Sequence, residues 1–247
     1  MADTRREPRK VYEWYEWLID EVGRSPVPIP MHLVSGGDLG AEALRLRVSK
    51  KTGNRYLKTL LPAYVAKPDG GRSLMGRRCT TDYKIRVLNK AQRRLAKVPR
   101  GCRTPVVEVT IGISIDEWMR VKPNAEPWAV NVHPLVDEHI SRHDCEVWLW
   151  KHYRKIAPKS ACKMCPFHGD DYWARMRATQ PEEFAEAVQF DHELRATARL
   201  QTGSARLAGD VFLHQSLRPL DEVEFSSVPE RFQLDLFGAE CEGLCGV

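Results

Sequence analysis

The chain has 247 residues, with 38 Lys and Arg against 33 Asp and Glu, a formal net charge of +5 and a pI near 8.8. That length buries a core without needing staples, and no apolar run reaches the roughly 18 residues of a membrane span. No apolar segment follows Met1 through Glu7, so no signal peptide is read, and the seven cysteines are expected in a reducing, cytoplasmic setting where metal or catalytic roles outrank disulfides.

Thr4 with Glu7 reads as a capping box. Behind it Val11, Trp14, Tyr15, Leu18, Ile19 and Val22 recur at helical spacing, which predicts a helix from about residue 5 to Gly23. Pro28 through Val34 reads as a short strand. Ser35-Gly-Gly-Asp-Leu-Gly40 then turns into a second helix with Asp38 as N-cap and Leu39, Ala43, Leu44 and Val48 along it. Residues 50–76 read as loop. A third helix is expected at about 81–97, with Ile85, Leu88, Ala91 and Leu95 on one face. Val106 through Ile111 is the clearest strand, β-branched and bounded by Pro105 and Gly112. Ser114 and Glu117 cap a short helix, and residues 121–131 read as loop. Ser141 and Asp144 open a helix to about 154, with Cys145, Trp148 and Leu149 inward. Two more helices are expected at about 169–178 and 181–199, the second opened by Pro181. Val211 through His214 reads as an extended segment.

Three stretches carry chemistry. Ser160-Ala-Cys-Lys-Met-Cys-Pro-Phe-His168 holds a Cys-x-x-Cys, Cys162 and Cys165, closed by Pro166. Two thiolates on such a turn grip a soft metal ion or two corners of an iron–sulfur cluster. A redox pair or two buried small residues are the alternatives. Around Cys79, the cations Arg77, Arg78, Lys84 and Arg86 gather at a helix start. Guanidinium forks and a helix N-terminus both favour anionic oxygens, while a solvated basic face is the simpler reading. Asp116, Glu117 and Arg120 follow the C-terminal end of the best strand, where ligands gather in α/β sheets. Of the remaining cysteines, Cys102 falls in a surface loop and Cys145 on a helix face. Cys241 and Cys245 form a Cys-x-x-x-Cys near the C-terminus, a candidate metal contact. His168 and His214 are further candidate ligands.

Taken together, Arg78-Cys79-Thr-Thr-Asp-Tyr-Lys84, Gly112-Ile-Ser-Ile-Asp-Glu117, the Ser160–Phe167 stretch, Leu213-His-Gln-Ser-Leu-Arg-Pro-Leu220 and the closing Cys241-Glu-Gly-Leu-Cys-Gly resemble the phosphoadenosine phosphosulfate reductase family. The likeness is to its phage and bacterial members of unassigned role. The resemblance implies a Rossmann-like α/β core of the adenine nucleotide α-hydrolase type, over residues 1–135. A mainly helical, cysteine-containing part would follow over 136–225, then a tail over 226–247. It implies a 4Fe-4S cluster, with zinc as the alternative. Cys79, Cys162 and Cys165 would be ligands, and Cys241 or Cys245 would supply a fourth. It also implies an adenine nucleotide or sulfonucleotide partner, held by Arg77, Arg78, Lys84 and Arg86 and shaped by Asp116, Glu117 and Arg120. Sulfur transfer or reduction is the expected chemistry. Nucleic acid is the alternative partner, for a metal-stapled accessory protein without catalysis, and an inactive relative is a third reading.

One departure concerns the front of the chain. Members of the family carry a Ser-Gly-Gly phosphate loop before a strand ending in a Phe-Ala-Asp-Thr-like sequence. Met1-Ala-Asp-Thr4 resembles that strand end, so the resemblance implies that the first β-α-β unit, with its phosphate loop, is missing. Ser35-Gly-Gly-Asp-Leu-Gly40 differs in register from such a loop, and a plain βα turn is the simpler reading.

Overall fold

The computed structural model describes residues 1–225; Cys241, Cys245 and the rest of the expected 226–247 tail lie outside the described residues. The architecture is mixed α/β. Strand β1 (Ala2–Asp3) leads into helix α1 (Arg9–Gly23), which returns to β2 (Val34–Ser35), and β1 and β2 pair in parallel. Helix α2 (Leu39–Leu44) follows, then the hairpin β3 (Arg47–Val48) and β4 (Arg55–Tyr56), then β5 (Tyr64–Ala66) and β6 (Arg72–Leu74). A π-helical turn at Thr80–Ile85 runs into α3 (Arg86–Leu95). Strand β7 (Val107–Thr110) pairs in parallel with β8 (Ala129–Val132), across a 3-10 turn at Ile115–Arg120. The helices α4 (Pro134–Asp137), α5 (Arg142–Tyr153), α6 (Asp170–Thr179) and α7 (Pro181–Arg199) precede β9 (Val211–Phe212), which pairs antiparallel with β5. Among the described residues, strand pairing is confined to these small sheets of two or three strands, and no helix is long and apolar enough to cross a membrane.

The core lies where α2 and the β5 region meet α6, α7 and β9. Leu39, Leu60, Met164, Trp173, Met176, Leu213 and Leu220 are essentially inaccessible there. One buried carboxylate organises this junction. Asp191 on α7 pairs with Arg195 one turn on, and also accepts from Leu213 N–H at 2.7 Å and Leu220 N–H at 3.2 Å. It therefore fixes the path of the chain after β9 against the helix that precedes it.

Several local expectations need correction. Helix α1 starts at Arg9, with Pro8 as a cap that offers no side-chain bond. The Arg9 N–H is met instead by Glu183 of α7, at 2.6 Å. Thr4 and Glu7 are not a capping box; Pro8 fixes the helix start after them, and both are buried. Of the expected strand before the glycine turn only Val34 belongs to β2, and Val48 lies in β3 rather than on α2. Residues 50–76 contain three strands, and β8 begins within the expected 121–131 loop. The expected inward face of α5 is absent. No residue of α5 is buried, and Trp148 is 53% exposed. The reason is that Val147, Trp148, Leu149 and Trp150 are consecutive, so apolar groups ring the helix instead of forming a stripe.

Removing Asp191 leaves Arg195 charged in the core and two buried N–H groups unpaired. Asp191→Ala is expected to lose about 3–5 kcal/mol of stability, read from urea unfolding; a loss below about 1 kcal/mol would contradict the assigned role.

Candidate functional site

The site begins with the buried segment between β1 and α1. Arg5 turns the chain with a left-handed backbone (φ 60°), and its N–H donates to Asp3 Oδ1 at 2.7 Å. The Arg6 guanidinium forks onto both oxygens of Asp38 at 2.8 Å, while Asp38 also accepts from Ala41 N–H to cap α2. A Cβ at Gly40 would lie 2.6 Å from Arg6 Nε. Gly37 takes φ +107°. Gly37 is thus required by the turn itself, and a side chain at Gly40 would push the Arg6 guanidinium off Asp38. Partial burial works against the charged form of Asp38, yet the bonds from Arg6 and Ala41 outweigh it and hold the carboxyl below the usual aspartate range.

The same segment grips the Cys-x-x-Cys turn. Lys163 N–H donates to the Arg6 carbonyl at 2.8 Å. Thr4 Oγ1 lies 3.1 Å from Cys162 Sγ, and the Cys162 thiol donates to Glu7 Oε1 at 3.7 Å. Ser160 Oγ donates to Glu7 Oε2 at 3.4 Å. Within the turn, Cys165 N–H donates to the Cys162 carbonyl at 2.9 Å. The His168 ring stacks on Tyr172 at 3.6 Å and directs Nε2 to that same carbonyl, at 2.8 Å. His168 therefore closes the turn through Nε2. His214 sits between Asp170 and Ser216 instead.

From the other side comes Cys79. Its N–H and that of Arg78 both donate to the Leu60 carbonyl, at 2.9 and 3.1 Å. The following turn is π-helical, with Arg86 N–H bonded to the Thr81 carbonyl. In an α-helix Lys84 would point about 140° away from Cys79; the wider π turn brings residues five apart toward one face. Cys79, Cys162, Cys165, Arg77, Lys84 and Phe167 thus line one cavity of about 20 Å³, room for a water-sized group. The Arg77 guanidinium lies over the Phe167 ring at 5.5 Å and donates to Thr80 Oγ1.

The other predicted residues fall elsewhere. Arg78 and Arg86 both pair with Asp82, at 3.1 and 2.9 Å, on the exposed side of the turn. Glu117 pairs with Arg120 at 2.7 Å, and Asp116 accepts from Arg142 N–H at 2.6 Å; none of the three lines the cysteine cavity. Sequence reasoning missed Thr4, Glu7 and Ser160 as the polar cluster bonded to Cys162 beside the cavity. Pro8, directly after Glu7, was the available signal. It also missed an open groove of about 690 Å³ beside the β3–β4 hairpin, lined by Lys50, Lys51, Asn54, Tyr56 and Gln201.

Burial pushes the Cys162 thiol up to about 12, with the Glu7 charge adding to it, while Lys84 and Thr4 pull the other way. Burial also raises the Glu7 carboxyl, against the opposing Lys84 charge. The thiol is therefore a neutral donor, and its deprotonation calls for a cation in the cavity. In donor type, three thiols facing one cavity fit a thiolate-held metal or cluster. Among the described residues, however, no three His, Cys, Asp or Glu side chains form a closed metal-holding group. No family model, curated protein or solved structure matches the chain. Function is therefore read from the residues themselves.

Two measurements follow. In the folded, metal-free protein at about pH 8, iodoacetamide should modify Cys162 far more slowly than the loop residue Cys102, as mapped by mass spectrometry; equal rates would refute the buried neutral thiol. Asp38→Asn keeps a capping side chain but removes the charge facing Arg6. Because the Asp38 carboxyl is depressed, the pair stabilises fully above the ordinary aspartate value of about 3.9 and fades as pH falls through the lower folded-state value. The gap in urea midpoint between wild type and Asp38→Asn should close over that acidic range; a gap unchanged down to about pH 2 would reject the assignment.

Proposed function

We propose that this chain is a phosphoadenosine phosphosulfate reductase-like protein: a nucleotide-dependent sulfur-transfer or reductase-type enzyme whose thiols hold an iron–sulfur cluster. The observation that carries this reading is the meeting of Cys79, Cys162 and Cys165 with Arg77 and Lys84 around one cavity, although Cys79 and Cys162 stand 83 residues apart in the chain. The two parallel pairs, β1 with β2 and β7 with β8, support a Rossmann-like core of the adenine nucleotide α-hydrolase type as part of the same proposal.

Cys79, Cys162 and Cys165 would hold the cluster, with Cys241 or Cys245 as the proposed fourth ligand. When bound, the cluster supplies an electron-storing metal face able to bind sulfur. Glu7 Oε1 is placed to take the Cys162 proton as the thiolate forms. Lys84 and Arg77 would bind the anionic oxygens of the group to be transferred. The cavity is water-sized, so it suits the reacting end of a ligand; an adenine ring would lie outside it. Leu39, Leu61, Pro62 and Phe167 complete the lining, and these apolar walls exclude bulk water and strengthen the local charges.

Anaerobic purification tests the proposal. The expected protein is brown, absorbs at about 400 nm and carries about four irons per chain. Cys79→Ser and Cys162→Ser should each lose most of the iron. A colourless protein holding one zinc would favour the metal-stapled alternative, and full iron content in Cys162→Ser would overturn the ligand assignment.

A further inference from the structure

A second feature lies on the surface, away from the cysteines. Four of the seven tryptophans, Trp14, Trp17, Trp148 and Trp150, lie on α1 and α5. Ring follows ring between the two helices. Trp14 meets Trp17 at 4.6 Å, Trp17 meets Tyr153 at 5.2 Å, and Tyr153 meets Trp148 at 5.6 Å. Trp148 continues to His152 at 4.8 Å. Trp148 and Trp150 are half exposed, as are Val147 and Ile156. Stable proteins rarely leave so much aromatic surface to water without a use for it.

Cations are set among these rings. Lys155 Nζ lies 5.1 Å from the Trp17 centroid, and the Arg154 guanidinium lies 5.7 Å from that of Trp150. Arg154 ends α5 in the left-handed conformation (φ 52°), where glycine is the ordinary choice. An arginine there accepts backbone strain and gains a cation over an exposed ring. From Val147 to Gly169 the chain contains Lys151, Arg154, Lys155, Lys159 and Lys163 and no acidic residue. On the α1 side, Glu21 hydrogen-bonds Tyr153 within the strip, which leaves the cationic side of the strip on α5 and the turn after it.

The geometry points to a binding face for single-stranded nucleic acid on α5 and residues 154–159. Trp148 and Trp150 lie about 200° apart around α5, so the strand crosses the helix: unpaired bases stack on the two rings from either side, and Lys151, between them, meets the phosphates with Arg154 and Lys155. Both halves of that chemistry are needed. A purely apolar partner gains nothing from the cations, and a duplex offers its phosphates but not its base faces. The face is independent of the cysteine reading, since none of its residues lines the cysteine cavity.

The test is fluorescence anisotropy of a labelled oligothymidine of about 12 nucleotides, with the intact chain. Binding should quench tryptophan fluorescence and weaken steeply between about 50 and 200 mM salt. Trp148→Ala should weaken it about tenfold. Arg154→Gly, which relieves the backbone strain and so keeps the fold, should also weaken it and lower the salt slope by about one. Cys162→Ser should bind like wild type, which separates this result from the cluster proposal. The inference is overturned by an absence of binding at about 100 μM protein in low salt, by equal affinity in Trp148→Ala and Arg154→Gly, or by a preference for duplex. It is equally overturned if sedimentation shows a dimer that Trp148→Ala dissociates, because the face is then covered by a second copy.

Discussion

Burying the Glu7 carboxylate is the constraint on which the N-terminal half of the structure depends. A charged group taken out of water is tolerated only where hydrogen bonds replace its hydration. Here the replacements come from Thr4, Ser160 and the Cys162 thiol, with Lys84 acting through space. Two of these partners belong to a stretch more than 150 residues further along the chain. The carboxylate therefore specifies a tertiary contact and not a local turn. Once Thr4–Glu7 is committed inward, α1 cannot begin before Arg9, and its first N–H must be satisfied by Glu183. Arg6 must leave sideways, which brings it to Asp38 and close over Gly40, where a side chain would displace its guanidinium.

Asp191 solves a similar problem at the far end of the core. It too is buried, and it too binds backbone from a later segment. Its ion-pair partner is a guanidinium within the same helix. Glu7 is answered from other segments of the chain. Its balance comes from Lys84 and from protons that neighbouring groups can give up. Burial raises both carboxyls, and the difference lies in the partners, a guanidinium for Asp191 and hydroxyl and thiol donors for Glu7.

Parts of this were legible in the chain and parts were not. Ser141 and Asp144 do form a reciprocal capping box, and Asp38 does cap α2. Thr4 and Glu7 have the same spacing, but the proline after them moves the helix start, and spacing alone does not distinguish a cap from a buried pair. Cys79, Cys162 and Cys165, grouped in the sequence by the family resemblance, line one cavity, though among the described residues they form no metal-holding group. Which cations join them was also open to inspection: Asp82 stands four residues from both Arg78 and Arg86, the separation at which charges pair on a helix, and it withdraws both. The strands between 50 and 76 were illegible because they are two or three residues long and largely polar, too short for an alternating pattern to register. The apolar run on α5 misled for the opposite reason, being strong in hydrophobicity yet lacking a period.

The π-helical turn at Thr80–Ile85 joins these observations. A run of well-formed helical residues predicts an ordinary α-helix through this region, and in that register a thiol at 79 and an ammonium at 84 diverge. Widening the turn by one residue costs hydrogen-bond geometry, which is why such turns are uncommon and are found mostly at functional positions. Here the widening turns Lys84 toward Cys79 and the shared cavity, while Asp82 on the outer side holds Arg78 and Arg86 away from it. One distortion thus sorts four clustered cations into those that face the thiols and those that face solvent. Arg77 and Lys84 are left to define the charge along the cavity wall, while Glu7 acts on it through the bond it accepts from the Cys162 thiol.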